Sequence, residues 1–329
     1  MMRLGILGAG GIAHAMAATV QAMRRNGEQV ELYAVASRDL KKAEAFAAME
    51  GAGLAFGSYE QMLEDKNLDL VYVATPHSHH AEHVKMCLEH GKAVLCEKAF
   101  TGNAAQAEEV LKEAEEKNIL VTEAIWTRYM PAREMISDLI RSGEIGEVTG
   151  LRANLGYRVG DLDRLKLPEL AGGALLDMGV YCLNFAAMVL GEPERVCATG
   201  VLTGTGVDLS DTISLIYPGK ITADLYTTMA ANTDRIGVVY GTEGYLQVDN
   251  INNPGRVEVW RPDRNRLFPE RIVPVPQQLT GYEYEVRACM RALEKGQIEC
   301  PEMPHSETLR IMREMDTIRG QMNVKYPFD

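Results

Sequence analysis

Gly8-Ala9-Gly10-Gly11-Ile12-Ala13 decides the reading of this chain. The stretch lies between an apolar run over residues 3–7 and a run of small residues over 11–25, so a G-x-G-x-x-A sequence joins a predicted strand to a predicted helix. Gly8 permits the tight turn out of the strand, Gly10 lets the backbone approach a pyrophosphate, and Ala13 lets the helix pack near the strand. Gly11 and Ile12 open the helix, where free N–H groups and the helix dipole favour negative charge. Small residues here would also suit plain helix-on-sheet packing. The strand before and the helix after are what point to a dinucleotide.

Outward from this loop, the first third of the chain alternates. Strands are expected over 3–7, 30–36, 68–75, 93–96 and 119–122, with helices over 11–25 and 40–50, up to 89, and over 104–117. Such alternation predicts a parallel sheet covered on both faces. After residue 123 the pattern changes. A helix over 132–141 precedes strand-like runs over 148–157, 195–202, 212–217, 221–228, 235–240, 245–248 and 256–260. One helical interruption, over 172–190, breaks them, and helices over 282–295 and 306–321 follow. Consecutive strands predict a largely antiparallel sheet. The expected fold is therefore a doubly wound α/β domain of the Rossmann type over 1–123 and an α+β domain with a largely antiparallel, open-faced sheet over 124–329. The 329 residues suit two domains of about 150 each.

Composition narrows the function. With 46% hydrophobic and 24% charged residues the chain reads as an ordinary globular protein. It carries 34 basic against 46 acidic side chains, a net charge of −12, which disfavours nucleic acid and anionic membranes as partners. An anionic ligand then needs a local positive site, which the 8–13 loop supplies. No apolar run reaches the roughly 20 residues of a membrane span. The six cysteines form no CxxC pair, and Met1-Met2-Arg3-Leu4 leads straight into a strand rather than a signal peptide. A cytoplasmic protein with reduced thiols is expected.

The second predicted strand ends at Ser37-Arg38, where an NAD site usually places an acidic residue on the ribose 2′-hydroxyl. A hydroxyl and a guanidinium instead suit a 2′-phosphate, so NADP is expected first and NAD second. The alternative has Asp39 turning inward to serve NAD. The third strong strand leads into Thr75-Pro76-His77-Ser78-His79-His80, and the next ends at Cys96-Glu97-Lys98. Ligands of open α/β sheets bind outside such strand ends. His77, His79, His80 and His83 have no carboxylate or thiolate set beside them, so no metal is expected. Lys98 is placed to hydrogen-bond a substrate oxygen and to lower the pKa of a neighbouring acid, although a strand-end Glu-Lys pair can equally be a surface pair.

In the second half, Asp177, Tyr181 and Asn184 fall on one face of an apolar helix if 172–184 is helical. Buried polar groups need partners or a task. Tyr181 is a candidate base for a hydroxyl proton, with Lys98 as the cation that stabilises its phenolate and Asp177 as an orienting group. The residues leave open whether Lys98 or Tyr181 moves the proton, and whether Asp177 and Tyr181 are simply satisfied core groups. Trp126 and Tyr157 are candidates for stacking on sugar C–H faces, or for the core.

Together, GAGGIA at 8–13, ATPHSHH at 74–80, CEKAF at 96–100 and GGALLDMGVYCLN at 172–184 resemble the glucose–fructose oxidoreductase/inositol dehydrogenase (Gfo/Idh/MocA) family over essentially the whole chain. The order and spacing of the four motifs are more specific than any one of them. The family typically carries Glu-Lys-Pro where this chain has Glu97-Lys98-Ala99, and often histidine in place of Tyr181. The tyrosine points to a subgroup. Glu123-Ala124-Ile125-Trp126-Thr127-Arg128-Tyr129 and His305-Ser306-Glu307-Thr308 resemble the dimeric dihydrodiol dehydrogenases and NADP-dependent D-xylose dehydrogenases. The resemblance implies hydride transfer between a nicotinamide and a sugar, polyol or trans-dihydrodiol. It implies Lys98, Asp177 and Tyr181 as the catalytic group, His80 and Trp126 near nicotinamide and substrate, and Arg128 in the same stretch. It further implies a homodimer or homotetramer formed through the second domain's sheet. Two other functions fit the fold: a glycosidase cycling a retained NAD, and a non-catalytic dinucleotide sensor. Ser37-Arg38 speaks against the first, and retention of Lys98 with Tyr181 against the second.

Overall fold

The computed structural model describes residues 1–262 and 267–329. In chain order its elements begin with β1 (Met2–Leu7), α1 (Gly11–Arg25), β2 (Val30–Ala36), α2 (Leu40–Glu50), β3 (Leu54–Phe56), α3 (Tyr59–Leu63) and β4 (Leu70–Val73). There follow α4 (His80–Glu89), β5 (Ala93–Glu97), α5 (Ala104–Lys117), β6 (Val121–Ala124) and α6 (Pro131–Arg141). Next come β7 (Val148–Gly156), α7 (Asp163–Lys166), α8 (Val180–Leu190), β8 (Arg195–Leu202), β9 (Asp208–Tyr217) and β10 (Ile221–Thr228). The chain finishes with β11 (Gly237–Gly241), β12 (Tyr245–Val248), β13 (Arg256–Trp260), β14 (Arg271–Pro274), α9 (Glu283–Glu294) and α10 (His305–Met322).

Two compact units result. The first is Met1–Trp126 with Gln278–Met312, and the second is Thr127–Gln277 with Arg313–Asp329. The segment Gln278–Met312, read from sequence as part of the second half, belongs to the first unit. Its contacts explain why: Arg287 forms a two-pronged ion pair with Glu28, Thr280 hydrogen-bonds Thr19, and Val121 N–H donates to Ile298 O. Ion pairing between distant residues leaves no periodic trace in a sequence.

The first unit is a six-stranded sheet in the order β3-β2-β1-β4-β5-β6 with every pair parallel. Leu4, Ile6, Leu70, Val71, Tyr72, Val94 and Leu95 are buried, as expected of strands covered on both faces. The order reverses between β1 and β4, which opens a crevice at their carboxyl ends. β3 and α3 escaped the sequence reading because three residues of strand carry too little pattern to register.

The second unit holds an eight-stranded sheet in the order β14-β13-β12-β11-β7-β10-β9-β8. It is antiparallel except where β7 pairs parallel with β10. In β10, Ala223, Leu225 and Thr227 are buried while Thr222, Asp224 and Tyr226 are exposed, so one face is packed and the other open. α8 packs on β7 and β10. The stretch Pro168–Leu190 is the one segment among the described residues long and apolar enough to cross a membrane, and 78% of its most apolar 18 residues are buried, as in a core helix. β14, an exposed edge strand, was not read from sequence because its side chains do not alternate.

Candidate cofactor and catalytic site

The turn after β1 follows from its glycines. Gly8 has φ +102°, and a Cβ there would lie 3.0 Å from Ala74 O, so the turn excludes a side chain. Gly10 is different. Its backbone is extended, and an added Cβ would meet only Ala74 O at 3.9 Å, while at Gly11 it would meet nothing within 4 Å. These two glycines leave space that the protein itself does not fill. Gly10 caps α1 without any side-chain hydrogen bond, and the first turn of α1 carries no acidic residue. The N–H groups of Gly11, Ile12 and Ala13 thus head an uncapped helix at the β1/β4 crossover, a fit to a pyrophosphate.

At the end of β2, Ser37 N–H donates to Phe56 O and the side chain is buried. Asp39 does not turn inward. It is exposed and accepts the Lys41 N–H at 3.0 Å as the N-cap of α2. The acidic residue available to an NAD ribose is committed to its helix. Arg38 is exposed, and its charge acts on Tyr59 and His83. Burial, with the nearby His79, His80 and Arg38, pushes His83 down to about 4, so the ring is neutral at physiological pH and bonds Thr75 Oγ1 through Nδ1 at 2.9 Å.

Thr75 and Pro76 leave β4, and His77 begins a short 3-10 turn before α4. His80 is wholly buried, with Nδ1 2.8 Å from Ala99 O and Nε2 2.8 Å from Thr75 O. The ring sits between the loop after β4 and the loop after β5, with one N–H to donate to either carbonyl. Burial holds its pKa below the ordinary histidine value. In the loop after β5, the Lys98–Ala99 peptide is cis. Glu97 accepts the Tyr72 hydroxyl through Oε1 and the Lys98 N–H, at 3.1 Å, through Oε2. Behind it sits Glu285 of α9, also fully buried, its carboxyl raised well above the usual range by burial and by the Glu97 charge. Sequence reading missed Tyr72 and Glu285. Tyr72 hides in an apolar strand, and Glu285 arrives from a distant helix. Trp126 is buried and stacks on Tyr282 with ring centroids 4.3 Å apart.

In the second unit the chain from Leu175 to Gly179 winds as a π-turn leading into α8. π-turns inside helices mark functional sites more often than chance. The polar stripe expected from regular helical spacing is therefore altered. Asn184 is fully buried and its Nδ2 donates to Val180 O within its own helix, 2.8 Å away. Asp177 and Tyr181 are both 9% exposed, and Arg164 of α7 pairs with Asp177 Oδ1 at 2.8 Å. Arg164 was not singled out from sequence because nothing in 161–166 marks it. Arg128 is buried at 3% exposure. Tyr157, just beyond β7, accepts the Asn252 amide at 3.2 Å and lies under the Arg235 guanidinium. Among the described residues, no group of three or more His, Cys, Asp or Glu side chains is arranged to hold a metal ion.

The model of an oxidoreductase family with an NAD-binding Rossmann fold matches residues 2–124, and that of a GFO/IDH/MocA C-terminal domain matches 134–247. Trans-1,2-dihydrobenzene-1,2-diol dehydrogenase of Macaca fascicularis is 35% identical over 100% of this chain and 99% of its own length. The Homo sapiens enzyme of the same name is 34% identical over the same shares. Among solved structures, a 3-ketoreductase from Actinomadura kijaniata in complex with NADP and TDP-benzene aligns with TM-score 0.86 and 25% identity, over 98% of each chain. Levoglucosan dehydrogenase in complex with NADH and levoglucosan aligns with TM-score 0.87 over 98% of this chain and 97% of that one. At 18% identity the latter speaks for the fold alone.

Proposed function

The chain belongs to the Gfo/Idh/MocA oxidoreductase family, and on that premise we propose that it is an NADP-dependent dehydrogenase or reductase acting on a secondary alcohol or carbonyl of a sugar, polyol or trans-dihydrodiol. The observation that carries this reading is the Gly8–Ala13 turn, whose unfilled space and uncapped helix lie at the crossover of the parallel sheet.

Gly8, Gly10, Gly11 and Ile12 take the pyrophosphate, with Ser37 and Arg38 on the 2′-phosphate. The commitment of Asp39 to its helix supports NADP over NAD. Thr75, Pro76, His77, Glu97 and Trp126 line the cofactor path. His80, wholly buried between Ala99 O and Thr75 O, and Lys98 belong to the same cofactor-side group. The bound nicotinamide supplies or accepts the hydride. Lys98 holds the substrate oxygen, and Tyr181 is its partner in moving the hydroxyl proton. Asp177, held by Arg164, orients the substrate. Trp126 and Tyr157 are the remaining substrate-side candidates, and Arg128 is assigned to the cofactor side. We further assign the protein to the cytoplasm, as a homodimer or homotetramer joined through the open face of the second unit's sheet, where Tyr226 and Val201 are exposed.

The test mixes purified protein with NADP or NAD and a panel of aldoses, polyols and trans-dihydrodiols, following reduced nicotinamide by absorbance. NADP-linked turnover of a panel member is expected. Cleavage of a glycoside without net reduction, or dinucleotide binding with no turnover of any kind, would overturn the proposal.

A further inference from the structure

The second unit contains two buried carboxyls that the proposed chemistry leaves unused. Asp208, at the start of β9, is wholly buried, and Asp211 is 1% exposed. Asp208 Oδ2 accepts the Leu175 N–H at 2.6 Å. Leu175 is the first residue of the π-turn that carries Asp177 and leads to Tyr181. The glycine before this turn is shaped by the same carboxyl. Gly173 has φ +119°, and a Cβ there would lie 2.1 Å from Asp208 Oδ1. Tyr326 closes the other side, its hydroxyl donating to Gly172 O at 2.7 Å. Leu175 is further anchored from below, because the preceding carbonyl, Ala174 O, accepts the Thr227 hydroxyl at 3.5 Å.

Among the described residues no donor side chain or N–H reaches Asp208 Oδ1 or either oxygen of Asp211. A buried carboxylate left so would be costly. Burial and the adjacent Asp208 favour the protonated form of Asp211, and its O–H, donated to Asp208, supplies the donor that Asp208 Oδ1 lacks.

We propose that Asp208 is a positioning residue for the reaction, fixing the turn from which Asp177 and Tyr181 project, and that Asp211 supports it by donating a hydrogen bond. This rests on the reading of Asp177 and Tyr181 given above. A displacement of about 1 Å at a reacting group can cost about 100-fold in rate, so an anchor of this kind has kinetic weight without touching substrate.

The experiment compares Asp208→Ala, Asp208→Asn, Asp211→Asn and Tyr181→Phe with wild type, reading kcat, KM and the Kd for NADPH. Asp208→Ala is expected to lower kcat by about 10- to 100-fold, the scale for a misplaced reacting group. Its NADPH Kd stays at the wild-type value, because the phosphate turn is in the other unit. Asp208→Asn restores most of the loss, since its amide oxygen still accepts the Leu175 N–H and its NH2 gives Asp211 a donor. Asp211→Asn keeps the hydrogen bond without a titrating proton. It retains kcat near neutrality, and its alkaline fall in kcat moves to higher pH. The other titratable groups around the pair are Tyr326 of the C-terminal stretch, with Arg319 and Asp329 beside it, and Cys182 of α8, and all stay in place in that comparison. Should Asp208→Ala not fold, the kcat–pH profiles of wild type and Asp211→Asn decide. Coincident profiles, or an Asp208→Ala enzyme with wild-type kcat, would overturn the inference while Tyr181→Phe still loses activity. A fully active Tyr181→Phe would instead overturn the reading of the site itself.

Discussion

Replacing Asp211 by asparagine should make the protein more stable at alkaline pH, against the usual direction for a buried polar substitution. Burial and the adjacent Asp208 push the Asp211 carboxyl up to about 9 from an ordinary 3.8. The folded state therefore keeps a proton that the unfolded chain has already released. Between pH 3.8 and about 9 the folded protein binds one proton more, so its stability falls as pH rises. The slope is about 1.4 kcal/mol per pH unit, set by the proton count and not by the size of the shift. Below that window the contribution is fully present, and above it the loss is complete. Asparagine has the same shape, donates the same hydrogen bond and has no proton to lose. From pH 6.5 to 8.5 the wild type should thus lose roughly 2–3 kcal/mol relative to the variant. At roughly 2–4 °C per kcal/mol for a unit of this size, the gap in Tm between the two should widen by about 5–10 °C. Calorimetry of both proteins across that range is the assay. Parallel Tm–pH curves would show that the two carboxyls do not share a proton.

The glycines of the first turn should separate folding from binding. Gly10→Ala should leave Tm unchanged, because its Cβ meets nothing closer than 3.9 Å, yet weaken NADPH binding at least about tenfold by occupying the phosphate's space. Gly8→Ala should instead lower Tm, since its backbone lies at φ +102° against Ala74 O, and thermal scans of the two read the contrast directly. Lys98→Met and Tyr181→Phe should each lower kcat by roughly 100-fold, the scale of lost acid–base help, in steady-state assays with the best panel substrate. Arg38→Ala should raise KM for NADP by about 10- to 100-fold while leaving KM for NAD near its starting value, as loss of one charge-assisted contact dictates.

The parallel half was legible because its chemistry is local. The turn at 8–13, the buried strand ending at Thr75 and the lysine after β5 each announce themselves in a few residues, and the structure sets all three at the carboxyl ends of one sheet. The sequence also left Asp39 as a competitor to Arg38, and only the cap it forms on α2 separates them. Other features were out of reach for a common reason: they depend on partners far away in the chain. Arg287 and Glu28 draw the late segment onto the first unit, and Glu285 reaches Glu97 from α9. Asp208 anchors Leu175 across 33 positions. The regular helix expected over 172–184 gave no sign of a π-turn, since winding of this kind is imposed by the groups packed on it. Asn184 shows the same limit. Its place on the polar stripe suited a site residue, but its amide NH2 donates to Val180 O of its own helix.

The central claim is that the turn between β1 and α1 holds a pyridine dinucleotide whose 2′-phosphate meets Arg38. Titrating NADPH and NADH into the wild-type protein by fluorescence tests it with no assumption about substrate. Saturable binding of NADPH, tighter than that of NADH and weakened in Gly10→Ala, is the result predicted here. A protein that takes up neither dinucleotide, or that binds both with an affinity indifferent to Gly10, would contradict it.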